Sequence, residues 1–529
     1  MSATSDQDLA RWRALVERGL ENAPFDSLVA ETLEGLRIQP LYTERDRPAE
    51  RGIPWPPCSP RRVGPAGVSP ESLAAHRDAG ATLAWVTLGE APLLEVPGLL
   101  TIATRLRSVE GLASIGSEWV RPVADPWTGW VTRPGDPDHA RGLDEIAAAV
   151  STGRPSLGVA GWVWDALYGA NAVDELALSI ASLVESLRAL ESRGASLDDA
   201  VRGATFGVAI GVELFDEIAK LRALRRLVDR ALVACGIAAR PFIAAVDSAS
   251  HHQPVDRPVN LLRNTIAASA ALLGGADGVA ISAHEHIEGQ PLPERIARNV
   301  PLVLSLESFL DGVDDPARGS FYIERLTDEL ARAAWESFRD IEREGGLARA
   351  HARARERLEA SKLRREQLVR TRKRPLVGVS RFPTREPASS GGQDAKPFVD
   401  LRIRSQGLVS RVITVGACPA ARVAFAREIL AISGLPDAVH PFTDDAAAAL
   451  GDASIVILAA PDAALAAEIP TVARALKSAG AKAIGVAGKP GAHEAALRDA
   501  GVDAFVFAGA DVVSFAEALL ERAEGAASS

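Results

Sequence analysis

Short, wholly apolar runs alternate along most of the chain with longer segments whose apolar residues recur every three or four positions. The runs are Leu83 to Leu88, Leu157 to Val163, Thr205 to Ile210, Phe242 to Val246, Gly278 to Ile281 and Leu302 to Leu306. Strands buried on both faces read as continuous apolar runs, whereas a helix shows a period near 3.6. Leu214, Ile218, Leu221, Leu224 and Val228 form such a helical stripe, beginning near Val212. Strand and helix repeated at this spacing predict a (β/α)8 barrel of TIM type in preference to an open sheet.

Beyond Pro383 the pattern breaks and then restarts. Pro387, Ala388, Ser389, Ser390, Gly391 and Gly392 mark a flexible joint running to about Lys396. Strands at Ser410 to Val415, Ser454 to Ala459, Lys482 to Val486 and Ala504 to Phe507 then alternate with helices near 420–433, 463–479, 492–500 and 512–523. This second series predicts a doubly wound domain of the flavodoxin type, whose ligands meet the loops after the strands. Ahead of the barrel, residues 5 to 24 form a helix with Leu9, Trp12, Leu15 and Leu20 on one face, able to dock on this chain or on a partner. Residues 47 to 71, rich in proline, arginine and glycine, are extended. Between the two series a helix from about Leu347 to Arg370 carries Arg349, Arg353, Arg355, Arg357, Arg364, Arg365 and Arg370 alongside Glu356, Glu359 and Glu366. It reads as a solvated connecting helix laced with ion pairs. The expected division is an arm at 1–46, a barrel at 47–346, a connector at 347–407 and a second domain at 408–529.

Charge and composition narrow the function classes. The 529 residues carry a net charge of −10, which disfavours a general binder of nucleic acid or anionic membrane. No uninterrupted apolar run approaches the roughly 18 residues of a membrane span. The N-terminus, with Ser2, Asp6, Asp8, Arg11 and Arg13, lacks a secretory pattern, and a cytoplasmic protein is expected. Cys58, Cys235 and Cys418 make neither a disulfide framework nor a zinc site.

The candidate chemistry lies where two strands end. Phe242 to Val246 gives way to Asp247, Ser248, Ser250, His251, His252 and Gln253, and Gly278 to Ile281 gives way to Ser282, His284, Glu285 and His286. Barrels place their sites at such C-terminal tips, so these histidines with Asp247 and Glu285 are candidates for a divalent metal or for acid–base work. His284 and His286, however, alternate along an extended segment and point apart. Polar capping of the strand ends, or filling of a barrel that no longer admits substrate, is the preferred assignment.

Several runs, in order, resemble the methylmalonyl-CoA mutase family. They are Glu34-Gly35-Leu36 through Pro40-Leu41-Tyr42-Thr43, Ala209-Ile210-Gly211 through Glu217-Ile218-Ala219-Lys220-Leu221-Arg222-Ala223, Arg295-Ile296-Ala297-Arg298-Asn299, and Asp315-Pro316 through Gly319-Ser320-Phe321-Tyr322-Ile323-Glu324. The resemblance implies an acyl-CoA-binding barrel followed by a cobalamin-binding domain, and it spans nearly the whole chain.

The departures define the expected role. Catalytic chains of that family carry a His-Ser-Gln-Thr-Ser-Gly-Trp run, and alignment from Asn260 and Arg263 puts Ala244 or Ala245 where its histidine belongs. Alanine can neither donate a hydrogen bond nor titrate. The family's tyrosine over the cobalamin face has no counterpart in residues 47 to 71, which offer Trp55 instead. The family's cobalt ligand is the histidine of an Asp-x-His-x-x-Gly loop; here the loop reads Gly416, Ala417, Cys418, Pro419, Ala420, Ala421, and His440 belongs to a later segment. A lone Cys418 among apolar neighbours reads as a small packed side chain. Gly488, Lys489, Pro490 and Gly491 are a weak signal for a phosphate or nucleotide tail.

No residue of this chain is therefore assigned a catalytic, cofactor-binding or metal-ligating role. The resemblance implies the small, non-catalytic subunit of a heterodimeric mutase. A larger catalytic partner would hold adenosylcobalamin and the acyl-CoA, convert methylmalonyl-CoA to succinyl-CoA, and meet this chain's N-terminal helix. The alternatives are an active acyl-CoA mutase with a rebuilt site that uses His251 or His252, and a binding scaffold for acyl-CoA or corrinoid.

Overall fold

The computed structural model describes all residues except 1–4, 22, 50–54, 89–92, 94, 105–110, 112–114, 136, 286–289, 385–391 and 526–529. It divides into two compact units, Met1–His251 with Pro258–Lys362, and His252–Arg257 with Leu363–Ser529. Most of the expected joint, Pro387 through Gly391, lies outside the described residues, as does His286.

The first unit opens with a helix, Asp6–Gly19, capped by Ser5 and Asp8. A two-stranded hairpin follows, β1 (Ala30–Glu31) with β2 (Arg37–Ile38). Eight parallel strands come next: β3 (Arg62–Ala66), β4 (Leu83–Thr87), β5 (Leu100–Thr104), β6 (Val120–Pro122), β7 (Gly158–Ala160), β8 (Thr205–Ile210), β9 (Phe242–Asp247) and β10 (Gly278–Ser282). Their order, β6-β5-β4-β3-β10-β9-β8-β7, is a ring in chain order, and the one parallel bridge Ala124–Leu157 spans the seam between β6 and β7. This is the nearly closed barrel that the alternating runs predict.

Alternation along each strand separates two cores. Val63, Phe206, Val208, Ile243, Ala245 and Val279 face the helices, whereas Ala66, Trp85, Ile102, Ala244, Val246 and Ala280 face the lumen. The helix Leu214–Ala234 buries Ile218, Leu221, Leu224 and Val228, the stripe read from the sequence. The helix Phe321–Arg343 packs beside it and beside the helix Ala172–Glu191. Each fully buried Leu, Ile or Phe on these faces contributes about 1.5–3 kcal/mol, so the two faces hold the ring shut far more than the ladder alone does.

One expected strand is a helix. Leu302 to Leu306 forms the last turns of the helix Leu292–Leu306, in which Pro293, Ala297 and Pro301 are buried at a spacing of four. That period, carried by small residues and prolines, sets the helix, and the apolar tail only follows it.

In the second unit, β11 (Ser410–Thr414), β12 (Ala438–Pro441), β13 (Ile455–Ala459), β14 (Ala483–Ala487) and β15 (Ala504–Val506) form a parallel sheet in the order β12-β11-β13-β14-β15. Helices cover both faces: Val412, Ile455 and Ile457 meet Leu430 and Phe515 on one side, while Ile413, Val456 and Leu458 meet Val472 and Leu476 on the other. The sequence did not mark β12, which lies on the sheet edge, largely exposed and ending in a proline. No helix among the described residues is long and apolar enough to cross a membrane.

Candidate functional site

The barrel lumen is built from small residues set opposite large ones. Gly207 of β8, Ala244 of β9 and Gly278 of β10 stand in register on three adjacent strands. Into the space at Gly207 come two indoles, Trp85 from β4 and Trp162 from the first turn of the helix Gly161–Tyr168 that follows β7, with ring centroids 5.8 Å apart and planes at 86°. A Cβ at Gly207 would lie 2.7 Å from Trp162 Cδ1 and 2.8 Å from Trp85 Cη2. Glycine is what lets the rings reach the axis, and Trp85 is only 3% exposed. Of the two positions that the resemblance assigns to a histidine, Ala244 is the one inside this lumen, and Ala245 faces the helices. A methyl group against indoles provides packing and no proton chemistry.

The polar tips close over the C-terminal end. Asp247 Oδ1 accepts the Ser282 N–H at 2.7 Å and pins β9 to β10. Ser248 donates to Asp165 and lies 2.7 Å from Ser250 Oγ. His251, buried, is 3.2 Å from Asn264 Oδ1 through Nε2, and the Asn264 amide donates to Ser282 O at 2.8 Å. Asp247 and His251 bring ligand-type atoms within 4.8 Å of each other. His284 instead meets its neighbour Glu285 at 3.4 Å, and its carbonyl accepts from Asn260. His252 is half-buried and belongs to the second unit.

Behind the mouth is a buried charge cluster whose importance the sequence reading missed. Lys220 Nζ lies 3.0 Å from Glu175 Oε2, 2.7 Å from Glu217 Oε2 and 2.7 Å from the Ala209 carbonyl. Two carboxylates share one ammonium here. Burial pushes Glu217 up to about 7, above what Lys220 restores, while the two carboxylates hold the Lys220 ammonium well above its ordinary range. Glu217 and Lys220 belong to one of the runs that carry the resemblance. What the sequence could not supply was Glu175, which arrives from a different helix.

Two other runs of the resemblance meet in space. Ile38 to Tyr42 and Gly319 to Tyr322 line a cleft of about 450 Å³. Tyr42 and Tyr322 have ring centroids 5.2 Å apart, and Phe215 packs edge-on against Tyr322 at 5.7 Å. Glu34, from the first run, accepts the Ala172 N–H at 2.7 Å and so caps a barrel helix with the arm.

In the second unit the loop after β11 turns at Gly416, with φ +60°. Cys418 packs against the apolar core, and burial pushes its thiol up. Arg422 crosses the same crevice to the Ala460 carbonyl at 2.5 Å and to Asp462 at 2.6 Å. His440 is on the edge strand β12, and Lys489 sits 5.9 Å over the Phe507 ring.

Fold and site together define a (β/α)8-barrel protein with a filled lumen, continued by a five-stranded parallel α/β unit. A sequence profile described as methylmalonyl-CoA mutase matches residues 158–397. The methylmalonyl-CoA mutase small subunit of Streptomyces virginiae is 32% identical over 97% of this chain and 96% of that protein. The probable methylmalonyl-CoA mutase small subunit of Mycobacterium tuberculosis is 32% identical over 87% of this chain and 80% of its own. That of Propionibacterium freudenreichii subsp. shermanii is 32% identical over 67% and 61%. The chain belongs to the methylmalonyl-CoA mutase family.

Proposed function

We propose that this chain is the small, non-catalytic subunit of a heterodimeric, adenosylcobalamin-dependent methylmalonyl-CoA mutase of the cytoplasm, and that it stabilises a larger catalytic subunit. The observation that carries this reading is the lumen: Trp85 and Trp162 occupy the axis above Gly207, and Ala244 stands where catalysis would need a titratable group. The order β12-β11-β13-β14-β15 supports a flavodoxin-type, cobalamin-binding-type second domain. Its residues do not fit the cofactor's cobalt: between Gly416 and Ala421 the sole side chain with a donor atom is Cys418, which packs beside the apolar core and whose thiol burial pushes up. No step of the reaction is therefore assigned to this chain, and the cofactor and acyl-CoA are placed on the partner. The helix Asp6–Gly19 supports a docking role, because none of its residues is buried and Leu15 is 55% exposed.

The test is mutase turnover, with adenosylcobalamin and methylmalonyl-CoA, of this chain alone, of a full-length catalytic paralogue alone, and of an equimolar mixture. Turnover confined to samples with the paralogue, with a one-to-one complex in the mixture, is the expected result. Turnover by this chain alone would overturn the reading.

A further inference from the structure

The two helices on either side of β10 in the chain turn apolar side chains outward. The helix Val259–Gly274 exposes Leu262 and Ile266 at a spacing of four, and the helix Leu292–Leu306, packed beside it, exposes Leu292, Val303 and Leu306. Each helix buries a different stripe against the barrel, Asn264, Ala267, Ala268 and Ala271 in the first and Pro293, Ala297 and Pro301 in the second. The outward residues are therefore a second apolar stripe and not the rim of the first. Phe309 extends it just past the second helix. Its backbone is left-handed, with φ +52°, and its ring is 72% exposed. That conformation is unfavourable for a residue with a Cβ, and here it presents a phenyl ring to solvent. Single exposed leucines are ordinary on a protein surface, whereas a contiguous apolar patch marks a contact.

Charge on the second helix is divided between its ends. Arg295 and Arg298 lie in the N-terminal half, Glu307 caps the C-terminus and Asp314 follows in the next loop. Arg298 Nε donates to Asn299 at 3.2 Å, but among the described residues none of these four charges has an ion pair. A helix dipole favours anions at the N-terminus and cations at the C-terminus, the reverse of this order. Only Glu294 obeys it, and Glu294 is turned to His76 at 3.7 Å. Helix stability does not account for the remaining charges.

We propose that this face pairs with the same face of a second copy of the chain across a two-fold axis, the two Leu292–Leu306 helices running antiparallel at the level of Pro301. A two-fold interface sets one patch against itself, so its charges must be complementary end to end. That condition is the one met here: Arg295 opposes Glu307 of the second copy, Ile296 opposes Leu306, and Phe309 covers Leu292. A different partner would have to carry the same reversal of charge, which this chain supplies by itself. The 15-residue helix gives a face about 22 Å long and, with its neighbour, roughly 20 Å wide, at the lower end of specific interfaces. The dimer is therefore reversible, with dissociation in the micromolar range. It is separate from the proposed docking of the helix Asp6–Gly19 on a catalytic subunit.

Sedimentation velocity of the full chain over a concentration series tests the pairing. Concentration-dependent dimerisation is expected, weakened by added salt, because the end-to-end charge pairs are exposed to screening. Arg295→Glu and Glu307→Arg should each weaken it roughly tenfold or more, and Leu306→Asp should abolish it. An equimolar mixture of Arg295→Glu and Glu307→Arg chains restores both opposed pairs and should dimerise again, as should the chain carrying both changes. A variant that had merely lost its fold would not be rescued in this way. A monomer at every concentration, or a dimer indifferent to all three single changes, overturns the pairing. So does a monomeric chain whose complex with a catalytic paralogue is lost in Leu306→Asp, which gives the face to that partner instead.

Discussion

Asp125 Oδ2 accepts the Ala160 N–H at 2.8 Å, and that bond spans the barrel seam where β6 and β7 share one bridge. The same carboxylate takes the Trp127 N–H at 2.9 Å and the Ser182 hydroxyl at 2.8 Å through Oδ1, deep in the protein. A side chain thus replaces ladder bonds that the short strands do not make. Asp125→Ala strands three buried donors and is expected to cost about 3 kcal/mol, whereas Asp125→Asn, which keeps one acceptor oxygen, costs about half as much. Urea denaturation of both variants checks the order.

Glu217 gives stability a pH dependence of unusual sign for a carboxylate. Its folded-state value, about 7, lies above its ordinary 4.5, so the folded chain binds the proton more tightly than the unfolded chain. Stability from this group is full below about pH 4.5, declines as pH rises to about 7, and is flat above, a change on the order of 3 kcal/mol. Urea midpoints from pH 4.5 to 8 should show this decline in wild type and a shallower one in Glu217→Gln, where Glu175, which burial also pushes up, still contributes. An unchanged slope in the variant would assign the effect elsewhere.

Gly207→Val forces methyl groups into the two indoles. Neither ring can retreat without displacing its own packing, so the expected cost is about 3 kcal/mol, the upper part of the range for overpacked cores. Thermal unfolding reads it directly, and Trp162→Ala in the same background should restore part of the loss.

Tyr322→Ala removes the ring that stacks on Tyr42 and meets Phe215. For a half-buried aromatic, about 2 kcal/mol is expected. The arm through Tyr42 should also become more susceptible to limited proteolysis, while the barrel fragment stays resistant.

The ring of strands was legible because β8, β9 and β10 are long and apolar but for one residue each, Thr205, Asp247 and Ser282. β3 was hidden in the proline-rich stretch, because Gly64 and Pro65 are poor strand residues by any local measure. They are tolerated where β3 and β4 share a single registered pair, Ala66 with Trp85. β5 and β6 were hidden by Thr101, Thr104 and Arg121, polar residues whose place in a barrel wall only the closed ring explains. Of the site, the tips at Asp247, His251 and His284 could be located in sequence, since a strand end is a local feature. The filled lumen could not, because Trp85, Trp162 and Gly207 come from three separate elements and their meeting is a property of closure.

The tryptophans and Gly207 also constrain the path by which such a barrel could change. Shrinking one indole alone leaves a void, and enlarging the glycine first creates a clash, so each single step passes through a less stable protein. An open axis would be regained only by altering both rings together. The lumen acts as a ratchet: once filled in this way, it is held filled by selection on folding alone, with no further demand from catalysis.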